Sequence, residues 1–380
     1  MSLSFEERDQ LRAEASRLLE RLSSSDDVRR LLDDPKGFGE ELWSQMTGLG
    51  WLGIHVPEPF GAGADFSDFA VILTEMGRHL AQSPILGTGV LGASALATCD
   101  NEDLRQEFLG GMVDGTMGSS VALASAAGSY DANDLSVLIE NVGDKVRLQG
   151  ATAFVPDAGA ADVLFVAGRN QRGEVVFTAV DPRQHGVTVT PTPTVDATRR
   201  LSRIDLDGVE VSRSKVLCES AASSASMFTR LTQLGALAVC CDALGAADEV
   251  LRRTAAYASA RHQFGRPIGS FQAVKHHCAN MAVNVVASRA AVEAACALVD
   301  DPTADLARAI AVVKSYAAQA CSEACGLAIQ VHGGIGFTWE SDVHLFFKRA
   351  KLDEMLFGSP RFHRRRLADL VFAGSERSIA

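Results

Sequence analysis

The sequence predicts an α+β chain of several domains, and three observations carry that reading. Apolar residues recur at helical spacing through the first third. Short β-rich runs separated by turn clusters fill the middle, and long helical repeats occupy the remainder. The changes of character set the expected boundaries: a helical domain over 1–116, a small β-barrel or sandwich over 117–220 and a helical bundle over 221–380. At 380 residues the chain is too long for one small core and fits two or three domains.

In chain order, Phe5 to Leu22 places Leu11, Ala15, Leu18, Leu19 and Leu22 on one stripe beside many charges, the spacing of an amphipathic helix. Trp43 to Leu49 is a second helical pattern. Val56 to Gly63, with two prolines and two glycines, reads as a turn-rich loop. Phe66 to Leu80 is a third helix, with Phe69, Ile72, Leu73, Met76 and Leu80 on one side. Near Gly118 the period shortens. Val137 to Ile139, Lys145 to Gln149, Val163 to Ala167, Val175 to Val180 and Val187 to Thr190 read as strands, and Asn141 to Asp144 and Gln171 to Gly173 as turns. No Gly-x-Gly-x-x-Gly follows a strand, which argues against a Rossmann domain. From Ala221 the pattern is helical again. Phe271, Val274, Cys278, Met281 and Val285 repeat every three or four residues, and Asp305 to Gln330 is dense in small residues that let bundled helices approach closely.

Hydrophobic content of 47% and charged content of 22% are ordinary for a folded soluble protein. A net charge of −11 argues against a nucleic-acid partner, whose phosphates would be repelled overall. The run Arg361 to Arg366 opposes that balance and reads as a solvated, ion-paired helix end, or as a contact for a ligand phosphate or a partner subunit. The eight cysteines form neither a disulfide framework nor a zinc pattern, so small apolar filler in a reducing cytoplasm is expected. His276, His277 and His332 lack ligand spacing, and no metal is expected. The start has no apolar stretch of signal-peptide type, and Leu234 to Cys241 is far too short to span a bilayer. A cytoplasmic location follows as the expectation.

Two segments carry the chemistry. One is Arg261-His262-Gln263-Phe264-Gly265-Arg266-Pro267-Ile268-Gly269-Ser270-Phe271-Gln272. The other is Gln330-Val331-His332-Gly333-Gly334-Ile335-Gly336-Phe337-Thr338. Together they resemble the signature of the acyl-CoA dehydrogenase family, FAD enzymes that oxidise a CoA thioester between Cα and Cβ. The resemblance covers nearly the whole chain and implies that family's fold, with a four-helix bundle at the C-terminal end. It implies FAD as cofactor, an acyl-CoA as substrate and an electron-transfer flavoprotein as acceptor. It also implies that Arg261, Gln263, Phe264 and Gln272 grip the FAD of a neighbouring subunit, and that Gln330, Gly333 and Gly334 hold its adenosine side. The chemistry suits those types. An arginine fork donates two hydrogen bonds to phosphate oxygens, and glycines let backbone N–H groups reach a ligand.

The departures from the family matter as much. Its catalytic Glu in Tyr-Glu-Gly-Thr corresponds to Phe357 in Leu356-Phe357-Gly358-Ser359, and phenylalanine cannot accept a proton. The alternative base position of a minority of members falls on Gly235. No catalytic residue is therefore assigned. The segment that holds flavin and substrate, Thr-Glu-Pro-x-Ala-Gly-Ser-Asp, aligns with Leu123 to Tyr130 and keeps only Ala127-Gly128-Ser129. The Trp-Ile-Thr that covers the isoalloxazine reads Phe154-Val155-Pro156, and proline has neither hydroxyl nor N–H to donate. This pattern resembles the non-catalytic chain of actinobacterial heteromeric acyl-CoA dehydrogenases, α2β2 assemblies with FAD where two related chains meet, several of which act on steroid side chains. The run from Trp339 to Ala350 also looks like that branch. The leading expectation is a β-type subunit completing a partner's FAD site. Beside it stand a self-sufficient homo-oligomer with a relocated acid, Asp242, Asp353 or Glu354, and a non-redox binding or scaffold protein on the same fold.

Overall fold

The first helical stripe forms α1 (Phe5–Leu22). It is entered through a capping box in which the Ser4 hydroxyl accepts from the Glu7 N–H and the Glu7 carboxylate accepts from the Ser4 N–H at 2.8 Å. The structure, a computed structural model, describes residues 3–376, with side chains through Phe372. Five further helices precede the sheet: α2 (Ser25–Leu32), α3 (Glu40–Gly48), α4 (Phe66–Arg78), α5 (Ala93–Ala97) and α6 (Glu102–Val113). Their stripes behave as the spacing predicts, with Phe69, Ile72, Leu73 and Met76 of α4 all buried.

Seven strands follow: β1 (Ser119–Ala122), β2 (Leu138–Val142), β3 (Lys145–Pro156), β4 (Val163–Arg169), β5 (Val175–Val180), β6 (Val187–Pro191) and β7 (Leu201–Ser212). They form one curled sheet in the order β1-β4-β2-β3-β7-β6, with β5 paired to β4. β1 runs parallel to β4, and the remaining long pairings are antiparallel. The alternating residues of β3 and β7, among them Val146, Leu148, Ile204, Leu206 and Val209, turn into one apolar core. β1 and β7 have no counterpart among the expected strands. In β1 the serines mask the pattern, yet Ser120 is buried because its hydroxyl donates to the Pro156 carbonyl. In β7, Asp207-Gly208 mimics a turn, and the β3–β7 pairing shifts register twice, which breaks the simple alternation.

The helical remainder consists of α7 (Ala221–Ala260), a two-residue-strand hairpin of β8 (His262–Gln263) and β9 (Arg266–Pro267), α8 (Gln272–Ala297), α9 (Leu306–His332), α10 (Val343–Met355) and α11 (Pro360–Glu376). By backbone contacts the chain divides into two compact units. One comprises Arg30–Ala64 and Gln82–Gly235, with the sheet at its heart. The other comprises residues 3–29, Asp65–Ala81 and residues 236–376. Within the second, α9 packs against α8, α10 and α11, and its Ala- and Cys-rich sequence supplies the small buried surface this needs. Among the described residues no helix is long and apolar enough to cross a membrane.

Candidate functional site

In the second unit, the residues expected to clamp a nucleotide gather at one end of the bundle. The last turn of α7 delivers Tyr257, whose carbonyl accepts from the Arg261 N–H at 2.8 Å. Two residues past Gln330, His332 stacks on the Tyr257 ring with centroids 4.3 Å apart and an interplanar angle of 19°. This one contact ties the Arg261 segment to the Gln330–Gly334 turn. After Arg261 the chain makes a tight hairpin in which Phe264 and Gly265 both have positive φ, +55° and +77°, the backbone of a two-residue primed turn. Phe264 is thereby thrust outward, 92% exposed, edge-on to Phe271 at 6.1 Å. The Arg266 guanidinium lies 4.1 Å from the Phe271 ring centre, and α8 begins at the next residue, Gln272. Arg261, Gln263, Phe264, Gln272, Gln330, Gly333 and Gly334 are all exposed. Gly333 ends α9 at φ +64°, and open space surrounds both glycines. An exposed guanidinium beside an open glycine turn fits a pyrophosphate-bearing nucleotide.

The family's base position is also in this unit and is closed. Phe357 is 2% exposed and adopts φ +56°, a left-handed conformation uncommon for an aromatic residue. Gly358 follows at φ +101°, and a Cβ there would meet the Phe362 ring at 2.5 Å. Two side chains hold this turn from behind. Lys314, fully buried in α9, donates to the carbonyls of Asp353 and Leu356 at 2.8 Å and of Glu354 at 3.2 Å, capping α10 with its ammonium. His363 Nε2 lies 2.9 Å from the Phe357 carbonyl, and burial lowers its pKa to about 4, so the neutral ring donates. Desolvation likewise lowers the pKa of Lys314. A lysine within an apolar, Ala-rich helix was the available sequence signal for this cap. For His363 the Arg-rich surroundings concealed it.

The candidate replacement acids are engaged elsewhere. Asp242 receives both Nε and a terminal nitrogen of the buried Arg349 at 2.9 Å, and Arg349 also donates to the Ala81 carbonyl. Glu354 pairs with Lys351 at 2.8 Å, and Asp353 is fully buried. Gly235, the other base position, is an interior residue of α7 and offers no proton acceptor. Among the described residues no three His, Cys, Asp or Glu side chains group as a metal site.

The first unit carries the segments that correspond to the flavin-ring contacts. Ala127-Gly128-Ser129 forms a turn closed on Ser125, whose carbonyl accepts from the Gly128 N–H at 2.9 Å and whose hydroxyl accepts from the Ser129 N–H at 3.0 Å. The Ser129 hydroxyl is itself engaged, donating to Asp134 at 2.6 Å. Phe154 lies in a register shift between β3 and β7, at φ +53°, with its ring on Gly128, where a Cβ would come within 2.6 Å. Phe154 is 38% exposed. The two altered segments are therefore one local structure: an aromatic ring on a glycine turn, followed by a proline without N–H. Such a surface does not fit the polar edge of an isoalloxazine.

Residues 5–116 match the acyl-CoA dehydrogenase N-terminal domain and residues 225–372 the acyl-CoA dehydrogenase C-terminal domain. Acyl-CoA dehydrogenase IpdE2 of Mycolicibacterium smegmatis is 32% identical over 369 residues, covering 97% of this chain and 99% of that protein. The chain belongs to the acyl-CoA dehydrogenase family. Among solved structures, the ChsE4–ChsE5 complex from Mycobacterium tuberculosis contains a chain with TM-score 0.89 and 27% identity, covering 97% of this chain and 98% of that one. A variant of the Tcur3481–Tcur3483 steroid acyl-CoA dehydrogenase gives TM-score 0.88 and 29% identity over 98% of this chain and 99% of its own. The family is one of flavoprotein oxidoreductases, and one of the similar structures is of a steroid acyl-CoA dehydrogenase.

Proposed function

We propose that this chain is the β-type subunit of a heteromeric acyl-CoA dehydrogenase, and that the three segments 1–116, 117–220 and 221–380 are its working domains. The observation that carries the reading is Phe357, a buried ring in the left-handed turn where the family places its carboxylate base. The exposed clamp would hold the phosphate and adenosine portions of an FAD shared with a related chain. Arg261 would neutralise phosphate, and Gly333 and Gly334 would admit the nucleotide to their backbone. FAD, when bound, supplies the two-electron acceptor for α,β-dehydrogenation of an acyl-CoA. The partner would supply the base and the ring pocket, and an electron-transfer flavoprotein in the same cytoplasm would take the electrons. A steroid-derived thioester is the substrate class that the similar heteromers suggest. A relocated base has little support, since Asp242 is neutralised by Arg349 and Glu354 by Lys351.

The test is purification of this chain alone and together with a related chain that carries Glu in the Tyr-Glu-Gly-Thr position. Flavin-to-protein ratio and acyl-CoA turnover are then measured on both. The reading expects flavin and turnover only in the co-expressed complex. Stoichiometric flavin with turnover in the isolated chain would overturn it.

A further inference from the structure

Cys241 of α7 and Cys296 of α8 are free thiols, 0% and 3% exposed, and their sulfurs lie 3.8 Å apart across 55 positions of sequence. Nothing in the proposed dehydrogenase chemistry uses them. The hydrogen bond to Cys296, with burial behind it, pushes the Cys241 thiol well above its ordinary pKa. Cys241 therefore keeps its proton and donates it to the Cys296 sulfur. The two sulfurs also differ in access. Cys296 lines a cavity of about 250 Å³ between α1, α4, α7 and α8, whose apolar wall includes Ala70, Val71, Leu244 and Val292. Arg12 and Arg289 belong to the same lining with side chains 45% and 35% exposed, so the cavity communicates with solvent. A space of that size admits molecules of the dimensions of water.

We propose that Cys241 and Cys296 form an oxidation site, closed to a disulfide by hydrogen peroxide entering through this cavity, with Cys296 oxidised first. The Cys296 thiolate attacks one peroxide oxygen. The O–O bond breaks, and hydroxide leaves and takes up the thiol proton as water, so that Cys296 becomes a sulfenic acid. The Cys241 thiolate then attacks the Cys296 sulfur. The S–O bond breaks as the S–S bond forms, and a second water carries off the Cys241 proton. Two thiols are oxidised, and one peroxide is reduced to two waters. The sulfurs have only to close from 3.8 Å to the bonded distance of about 2 Å. The link would close a loop containing the whole Arg261–Gln272 hairpin and restrain the unfolded chain. None of this depends on which chain supplies the catalytic base.

The purified full chain, first reduced, is exposed to hydrogen peroxide while folded and is mapped by mass spectrometry without reduction. The expected product is a linked Cys241–Cys296 peptide that dithiothreitol separates, with a melting midpoint raised by about 3–5 °C. In Cys241→Ala, dimedone, which tags sulfenic acids, should label Cys296. In Cys296→Ala it should leave Cys241 unlabelled. A native chain whose pair stays unlinked at peroxide concentrations that oxidise the partly exposed Cys278 would overturn the proposal, and that reading needs no variant to fold. So would a linked chain with an unchanged midpoint, or a dimedone label on Cys241 in Cys296→Ala.

Discussion

Phe357 shows how one side chain decides what the rest of the turn can do. Its ring fills buried space at φ +56°, and the carbonyl behind it is held by His363. Phe357→Glu therefore replaces packing with a carboxylate in a site shaped for a ring. We predict a loss of about 3 kcal/mol or more, from the vacated volume and the buried charge, read as a lower urea midpoint. The isolated variant should also gain no acyl-CoA turnover, because Phe154 and Pro156 leave the ring contacts unmade. His363 makes the same turn sensitive to acid. Its pKa is about 4 in the folded chain against an ordinary 6.5, lowered first by burial. The unfolded chain therefore binds the extra proton between those values. Stability should be full above about pH 6.5 and should decline between pH 6.5 and 4, by up to about 3 kcal/mol from this group. His55, buried beside Ser94 with a pKa of about 4, adds a decline in the same window. His363→Gln retains a donor for the Phe357 carbonyl and cannot titrate, so urea midpoints of the variant should fall less steeply over that range.

At the scale of elements, Asp242 and Arg349 tie α7 to α10 within the second unit. Both are buried, and the guanidinium is satisfied by two carboxylate oxygens and the Ala81 carbonyl. Asp242→Asn would leave a buried cation poorly compensated. We predict destabilisation of about 3–5 kcal/mol, read as a large fall in melting temperature with secondary structure kept below it. Neither the partner of Asp242, 107 residues away, nor those of Lys314, 39 to 42 residues away, could be recognised from spacing, because they meet only through helix packing. The helices themselves were legible: α1 spans the predicted residues, and α4 and α9 end within two of theirs. Strands were legible where β-rich residues run almost unbroken, as in β5. They were lost where a register shift or a buried serine broke the period, as in β7 and β1. Phe264, Phe154 and Phe357 stood out in the sequence as motif positions. What the sequence does not show is that all three have positive φ, since nothing in a phenylalanine announces a left-handed backbone.

For the whole molecule, the asymmetry between an open proposed clamp and a closed base position makes a prediction about affinity rather than chemistry. In a co-expressed complex that binds FAD, Arg261→Ala in this chain should weaken retention of the cofactor by about 10- to 100-fold, the range for losing a charge-assisted hydrogen bond to phosphate. Phe154→Ala should leave retention nearly unchanged, because under the proposed division of labour the ring of this flavin lies in the other chain. The two substitutions therefore separate a shared site from a self-contained one. If the flavin belonged wholly to this chain, trimming Phe154 would alter its absorbance and its release. If it is shared, only the Arg261 guanidinium should register. Flavin fluorescence during dilution of the complex measures both, and the ratio of the two release constants does not depend on the identity of the acyl group.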